Sequence, residues 1–337
     1  MLHSANSAKI LTPKLPDWGA LLAVVASTPT DSSVPGIGTH LSIAMALDGK
    51  RVCLLRSGRP DRSTDDICAV ASLDQLIASH ERMDMPQPSP AGILILHCDN
   101  RLQHFESLAP GHQLAIVGIL QQLEVDFDCL LLEEPICDGM LPLIRSAPLL
   151  VLSLTTDGTS LTDSFRALQS LYNKPLNQQS YVLVDSASSL PQAHGAFKRL
   201  QRAASRYLGT EPHYLGHMPP QDAQRPLQQT FDSMAQQPVS AFDQSLQAIA
   251  ERFRRALAKT GRCNVLSTHF HQRHQSNAAI GVVPVQLAPQ QTTDTPTTAR
   301  ADRTDPGQND GYRAATRFAM RLGAARQNGE ENPAEGR

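Results

Sequence analysis

The sequence predicts a three-layer α/β fold built on a mostly parallel central sheet. Two observations predict it. Seven short apolar runs stand out, most of them continuous rather than alternating (21–26, 51–55, 92–96, 129–132, 149–154, 181–184 and 214–218), as strands buried on both faces read. Segments of helical composition separate most of them, and repeated strand–helix alternation implies right-handed crossovers with helices on both faces of the sheet. Apolar residues make up 41% of the 337 residues, enough for a substantial core.

The helices follow from local signals. Residues 39–47 are rich in Ala, Leu and Met, and 72–80 read SLDQLIASH behind a serine cap. Residues 112–123 place Leu114, Val117, Leu120 and Leu123 at steps of three. The helix at 160–172 opens on SLTD, where a hydroxyl can accept from a free backbone N–H. Residues 191–207 and 239–258 complete the set, the latter with Phe242, Leu246, Ile249 and Phe253 on one stripe.

After about residue 260 the composition changes. Residues 275–310 are rich in Gln, Thr, Pro and Asp, which cannot bury enough surface to offset ordering entropy. This divides the chain into an N-terminal extension (1–19), one α/β domain (20–260) and a mostly disordered tail (261–337). Within the tail, 311–326 has the pattern of a short basic helix, with Arg313, Arg317 and Arg321 on one side and Phe318 and Leu322 on another. Such a helix suits peripheral contact with an anionic membrane or a partner, although a partly helical tail with scattered arginines is the plainer reading.

Charge and cysteine usage exclude several classes. The net charge is −2, which argues against a polybasic nucleic-acid binder. No run approaches the roughly 18 apolar residues of a membrane span, and the first residues lack the order of a secretory signal. The six cysteines form no CxxC pair and several lie inside apolar runs, which fits a reducing cytosol better than a disulfide framework.

Ligands of open α/β sheets bind at the carboxyl ends of strands, so the first strand–loop–helix unit is the first place to look. It reads LAVVASTPTDSSVPGIGTHLSIAMALDGKRVCLL over 22–55. Further landmarks are FDCLLLEEP (127–135), LLVLSLTTDGTSLTD (149–163), YVLVD (181–185) and LGHMP (215–219). In order and spacing these resemble the MinD/ParA family of deviant-Walker ATPases, with the flagellar-number regulators the most similar branch. The resemblance covers about residues 20–258 and implies a P-loop NTPase-like fold.

The same resemblance implies that the nucleotide site is degenerate. The family's signature lysine falls on Pro29, its phosphate-binding lysine on Val34 and its magnesium-binding hydroxyl on Pro35, while loop glycines fall on Thr28, Thr30, Asp31 and Ser33. Proline removes an N–H donor, and Asp31 adds negative charge where phosphates would lie. The acidic residues that end the family's second strand are replaced by Arg56 and Gly58. Glu133 stands where the Walker-B-like aspartate would be, with Glu134 beside it, and Asp185 replaces a base-recognising asparagine.

The implied function is a non-hydrolysing scaffold or regulator, a pseudo-ATPase rather than an enzyme, without a cofactor. It would serve the positioning or assembly of a cell-envelope machine: flagellum, pilus, secretion system or cellulose synthase. Its partners would be proteins, as a homodimer or as a heterodimer with an intact MinD-like paralogue, and its place the cytoplasm, at the inner membrane or a cell pole. The alternative is an active NTPase with an unorthodox phosphate loop, in which Gly36 and Gly38 form an anion site, Glu133 holds magnesium and Glu134 orients a water, with ATP and magnesium as ligands. Against it, the glycines permit only a tight turn and close packing, and the two glutamates are surface-facing strand ends.

Three smaller expectations complete the reading. Arg56 and Arg59 bring positive charge to the mouth of the former nucleotide site, where a bridge to Glu133, Glu134 or Asp31 would stand in for a lost ligand. Asp157, Thr159 and Ser160 form a helix-start cluster, a candidate partner contact or simply a cap. His269, His271 and His274, with Cys263, have the look of a metal set if the chain is extended there, but chance histidines in a mobile tail are the simpler account, and no metal site is expected.

Overall fold

The computed structural model describes residues 20–27, 36–57, 67–78, 85–135, 138–172, 179–220, 226–236 and 240–280. Pro29, Asp31, Val34, Pro35, Gly58, Arg59 and the basic segment 311–326 lie outside the described residues.

The elements, in chain order, are β1 (Leu21–Ser27), α1 (Ile37–Ala46), β2 (Val52–Arg56), β3 (Cys68–Ser72), α2 (Leu73–Ala78), β4 (Ile93–His97), α3 (Pro110–Asp126), β5 (Cys129–Pro135), α4 (Leu141–Ser146), β6 (Leu149–Thr155), α5 (Gly158–Tyr172), β7 (Gln179–Asp185), α6 (Leu190–Leu208), β8 (His213–His217), α7 (Leu227–Ala235), α8 (Ala241–Ala258) and α9 (Val265–Ile280). All seven apolar runs are strands. The eight strands form one sheet in the order β3-β4-β2-β5-β1-β6-β7-β8, and every strand pairing among the described residues is parallel.

Side-chain alternation along the strands sorts the core into two layers. Leu130 and Leu132 of β5 join the layer under α3, α5, α6 and α9, while Cys129 and Leu131 join the layer under α1 and α8. At the sheet centre β5 lies between β2 and β1, with Glu133 level with Arg56 on one side and Val25 on the other. From β1 the chain winds first toward β3 and later toward β8, so the order reverses at β1, and the carboxyl ends of β2, β5 and β1 meet where a crevice forms in doubly wound sheets.

Several expectations need correction. The strand β3 is not among the seven runs: it is an edge strand with only Cys68 fully buried, so its composition carries little apolar signal. Leu114 is half exposed whereas Val117, Leu120 and Leu123 are buried. Nine residues separate Leu114 from Leu123, and at about 100° per residue that puts them on opposite sides of α3.

The domain boundary expected at 260 also fails, because the fold continues through α9. Leu266 and Phe270 are fully buried, and Phe270 lies 4.9 Å from the Phe105 ring. The buried carboxylate of Glu124, on α3, accepts from the N–H groups of Leu266 (2.9 Å) and Ser267 (3.2 Å) and from the Ser267 hydroxyl, supplying a cap for α9 from another helix. Cys263 and Ala20 exchange backbone hydrogen bonds, tying the start of β1 to the chain after α8. Composition does not announce this helix because its outward face is polar, and only a few residues face inward.

Candidate functional site

The site grows from the first turn of α1. Gly36 precedes that helix in extended geometry, and no side chain of the helix's own first turn caps it. Free N–H groups at a helix start carry partial positive charge and seek an acceptor. The acceptor is Glu133, 95 residues away: its Oε1 takes the Gly38 N–H at 2.9 Å. A hydrogen bond to a charged group contributes about 1.5–3 kcal/mol.

Glycine is required for that approach. A Cβ on Gly36 would stand 2.3 Å from Glu133 Oε1, and one on Gly38 would stand 3.0 Å from the Glu133 carboxyl carbon. The turn is held behind by His40, whose Nδ1–H donates to the Gly36 carbonyl at 3.1 Å, and by Ser42, whose hydroxyl donates to the Gly38 carbonyl at 2.8 Å.

Arg56, from the end of β2, completes the arrangement. Its Nε lies 3.9 Å from Glu133 Oε2, the ion pair expected from sequence. The Glu133 side chain is only 10% exposed, and its Oε2 accepts no hydrogen bond among the described residues.

Glu134, one residue on, points to the other face of the sheet. It is buried and accepts from the Ser57 hydroxyl and, at 2.9 Å, from Gln103 Nε2, which also donates to Ser57 Oγ at 3.1 Å. Burial raises its pKa above the usual carboxylate range; the hydrogen bonds from Ser57 and Gln103 oppose the rise, neighbouring Glu133 adds to it, and Arg56 opposes it. The expectation that Glu133 and Glu134 are surface-facing is therefore wrong: each is drawn under a helix or turn by a donor contributed from elsewhere. Gln103 was not visible as a site residue. It reaches Glu134 by a turn after β4 in which Asp99 and Asn100 adopt positive φ, 40° and 60°, a conformation these two residue types tolerate better than most.

The helix-start cluster is a separate turn at the carboxyl end of β6. Asp157 Oδ1 accepts from the Ser160 N–H at 2.7 Å, and Ser160 Oγ accepts from the Thr155 N–H at 3.0 Å. Burial alone would raise the Asp157 pKa, but hydrogen bonds from Thr155, Ser160 and Thr159 bring it below the ordinary value. Asp157 and Thr159 are exposed and Ser160 is buried, so the cluster caps α5 while offering two polar side chains to solvent.

The histidines of α9 diverge. His269 is mostly buried against Phe270, its pKa lowered to about 4 by burial and by Arg273. His274 Nδ1 pairs with Gln113 at 2.9 Å, and His271 contacts Gln275 at the surface. A helix turns successive side chains by about 100°, so the extended geometry that made a metal set conceivable is absent, and so is the mobile chain expected there.

No protein-family model matches the chain. In sequence it is 23% identical over 190 residues to "Antiactivator FleN" of Pseudomonas aeruginosa, covering 54% of this chain and 68% of the relative. Among solved structures, the ParA family ATPase from Chlorobium tepidum TLS aligns over 69% of this chain and 98% of its own at 14% identity and a TM-score of 0.45. The cell division ATPase MinD of Pyrococcus furiosus aligns over 70% and 99%, also at 14% and 0.45. At that level the structural likeness says nothing of the site. The chain is thus similar in sequence to FleN, and its parallel eight-stranded sheet is the α/β fold expected from its dispersed landmarks.

Proposed function

We propose that this protein is a non-hydrolysing MinD/ParA-like regulator or scaffold that acts through protein contacts in positioning or assembling a cell-envelope machine. The observation that carries the reading is the Gly38 N–H donating to Glu133. In a phosphate loop, the free N–H groups at the start of the helix face a phosphate, helped by a lysine and a hydroxyl. Here the aligned lysine and hydroxyl positions are Val34 and Pro35, and the helix start already holds a carboxylate. An active NTPase using Gly36 and Gly38 as its anion site would need that place open.

The likeness to a relative named an antiactivator supports regulation over turnover. A partner-controlled protein without its own nucleotide switch needs a replacement for that switch. A constitutive homodimer or a heterodimer with an intact MinD-like paralogue supplies it, at the inner membrane or a pole. The exposed Asp157 and Thr159 are the polar contacts we assign to such a partner.

Thermal unfolding with and without ATP and magnesium tests the reading. No shift in Tm and no phosphate release are expected, while affinity purification from the source cell recovers a MinD-like protein bearing an intact loop. A saturable rise in Tm with ATP–magnesium, accompanied by phosphate release, would overturn it.

A further inference from the structure

We propose that the start of α1 is an oxyanion seat which the chain fills with its own side chain: the Glu133 carboxylate is a tethered ligand in place of an external anion. This deepens the proposed function and rests on it.

Four observations converge. The helix start has no cap of its own. Glu133 comes from a distant strand to supply one, through Gly38. The two glycines leave room that a single Cβ would remove, and the three atoms nearest a Cβ on Gly36 all belong to the Glu133 carboxyl group. The carboxylate is nine-tenths buried, has Arg56 at 3.9 Å, and keeps an oxygen, Oε2, with no hydrogen-bond donor among the described residues. Glu124 also caps a helix, α9, from a distance, but both of its oxygens are satisfied by donors of that helix's first turn. A carboxylate delivered from the sheet centre instead satisfies positive charge from a helix start and an arginine together, which is what an anionic ligand does at such a place. The covalent tether also keeps the seat occupied when no free anion is present.

The seat is tested by emptying it. Glu133→Ala should lower Tm by several degrees. Formate should restore the loss saturably, whereas chloride at equal ionic strength should not; wild type should respond alike to both salts. Inorganic phosphate in the same titration asks whether the emptied seat takes a larger oxyanion: rescue by it as well would identify a phosphate-sized seat, and rescue by formate alone a carboxylate-sized one, both supporting occupancy by an anion. Gly36→Ala should lower Tm in wild type but cost little more in the Glu133→Ala background, because the clash is with Glu133. Should Glu133→Ala not fold, the wild-type chain carries the test: the Gly38 amide should be protected from hydrogen exchange. The inference is overturned if the emptied variant is as stable as wild type, if no anion rescues it, if Gly36→Ala costs the same in both backgrounds, or if the wild-type Gly38 amide exchanges without protection. Those failures leave ATP insensitivity untouched, whereas stabilisation of wild type by ATP–magnesium sinks the parent reading.

Discussion

Glu134 shows at the residue scale how a buried acid makes stability depend on pH. Its pKa is raised in the folded protein, chiefly by burial. The folded state therefore holds the proton more tightly than the unfolded state, and stability attributable to this group is full below the unfolded value and lost as pH rises through the folded one. Glu134→Gln keeps an acceptor for Ser57 and Gln103 while removing the ionisation. Its Tm should match wild type at about pH 4 and exceed it at about pH 7, a crossover read directly from thermal unfolding across pH. A variant that is less stable at every pH would show that the carboxylate is held ionised and well paired.

Sequence foresaw part of this chemistry and missed the rest. Arg56 and Glu133 are legible because the resemblance aligns them with acidic positions whose residue types differ here, and Gly36 and Gly38 because they lie close to the start of the first helix. Their contacts are not, since a hydrogen bond spanning 95 residues depends on strand register and not on local pattern. Gln103 carries no signal at all, because a glutamine in a turn becomes a site residue only when the turn after β4 folds it over Glu134.

Among the elements, α9 is the informative one. Glu124 is buried and its pKa is raised, by burial first, against the hydrogen bonds from Ser267 and Leu266. Glu124→Ala removes three acceptor contacts and should cost about 1–3 kcal/mol. Faster amide exchange concentrated in α9 would locate that loss, whereas uniform exchange through the sheet would show that the helix and the domain unfold together. Truncation makes the same point more coarsely. A chain ending at residue 260 exposes the surface covered by Leu266 and Phe270 and should unfold at lower temperature than one ending at 280. Equal Tm values for the two would restore the boundary expected from composition.

Across the whole molecule, the sheet sets the stability and the place of the site. Leu131 is fully buried on β5, between β2 and β1. Leu131→Ala should cost about 2–5 kcal/mol, lowering the urea midpoint with the slope of the transition unchanged. A changed slope would mean that the two layers of the core no longer unfold as one unit.

What the amino-acid order settled alone is the architecture: continuous apolar runs demand strands covered on both faces, and their alternation with helices demands a parallel sheet. It also settled that residues 28–35 contain no lysine. Tertiary structure alone decided what stands at the start of α1. Only the register that sets Glu133 level with Arg56 and Val25 brings a carboxylate beneath two glycines, and only side-chain alternation sends Glu134 to the opposite face. Local sequence fixes which groups exist; the pairing of distant strands determines which of them meet, because the energy of an ion pair or a capping hydrogen bond vanishes beyond a few ångströms.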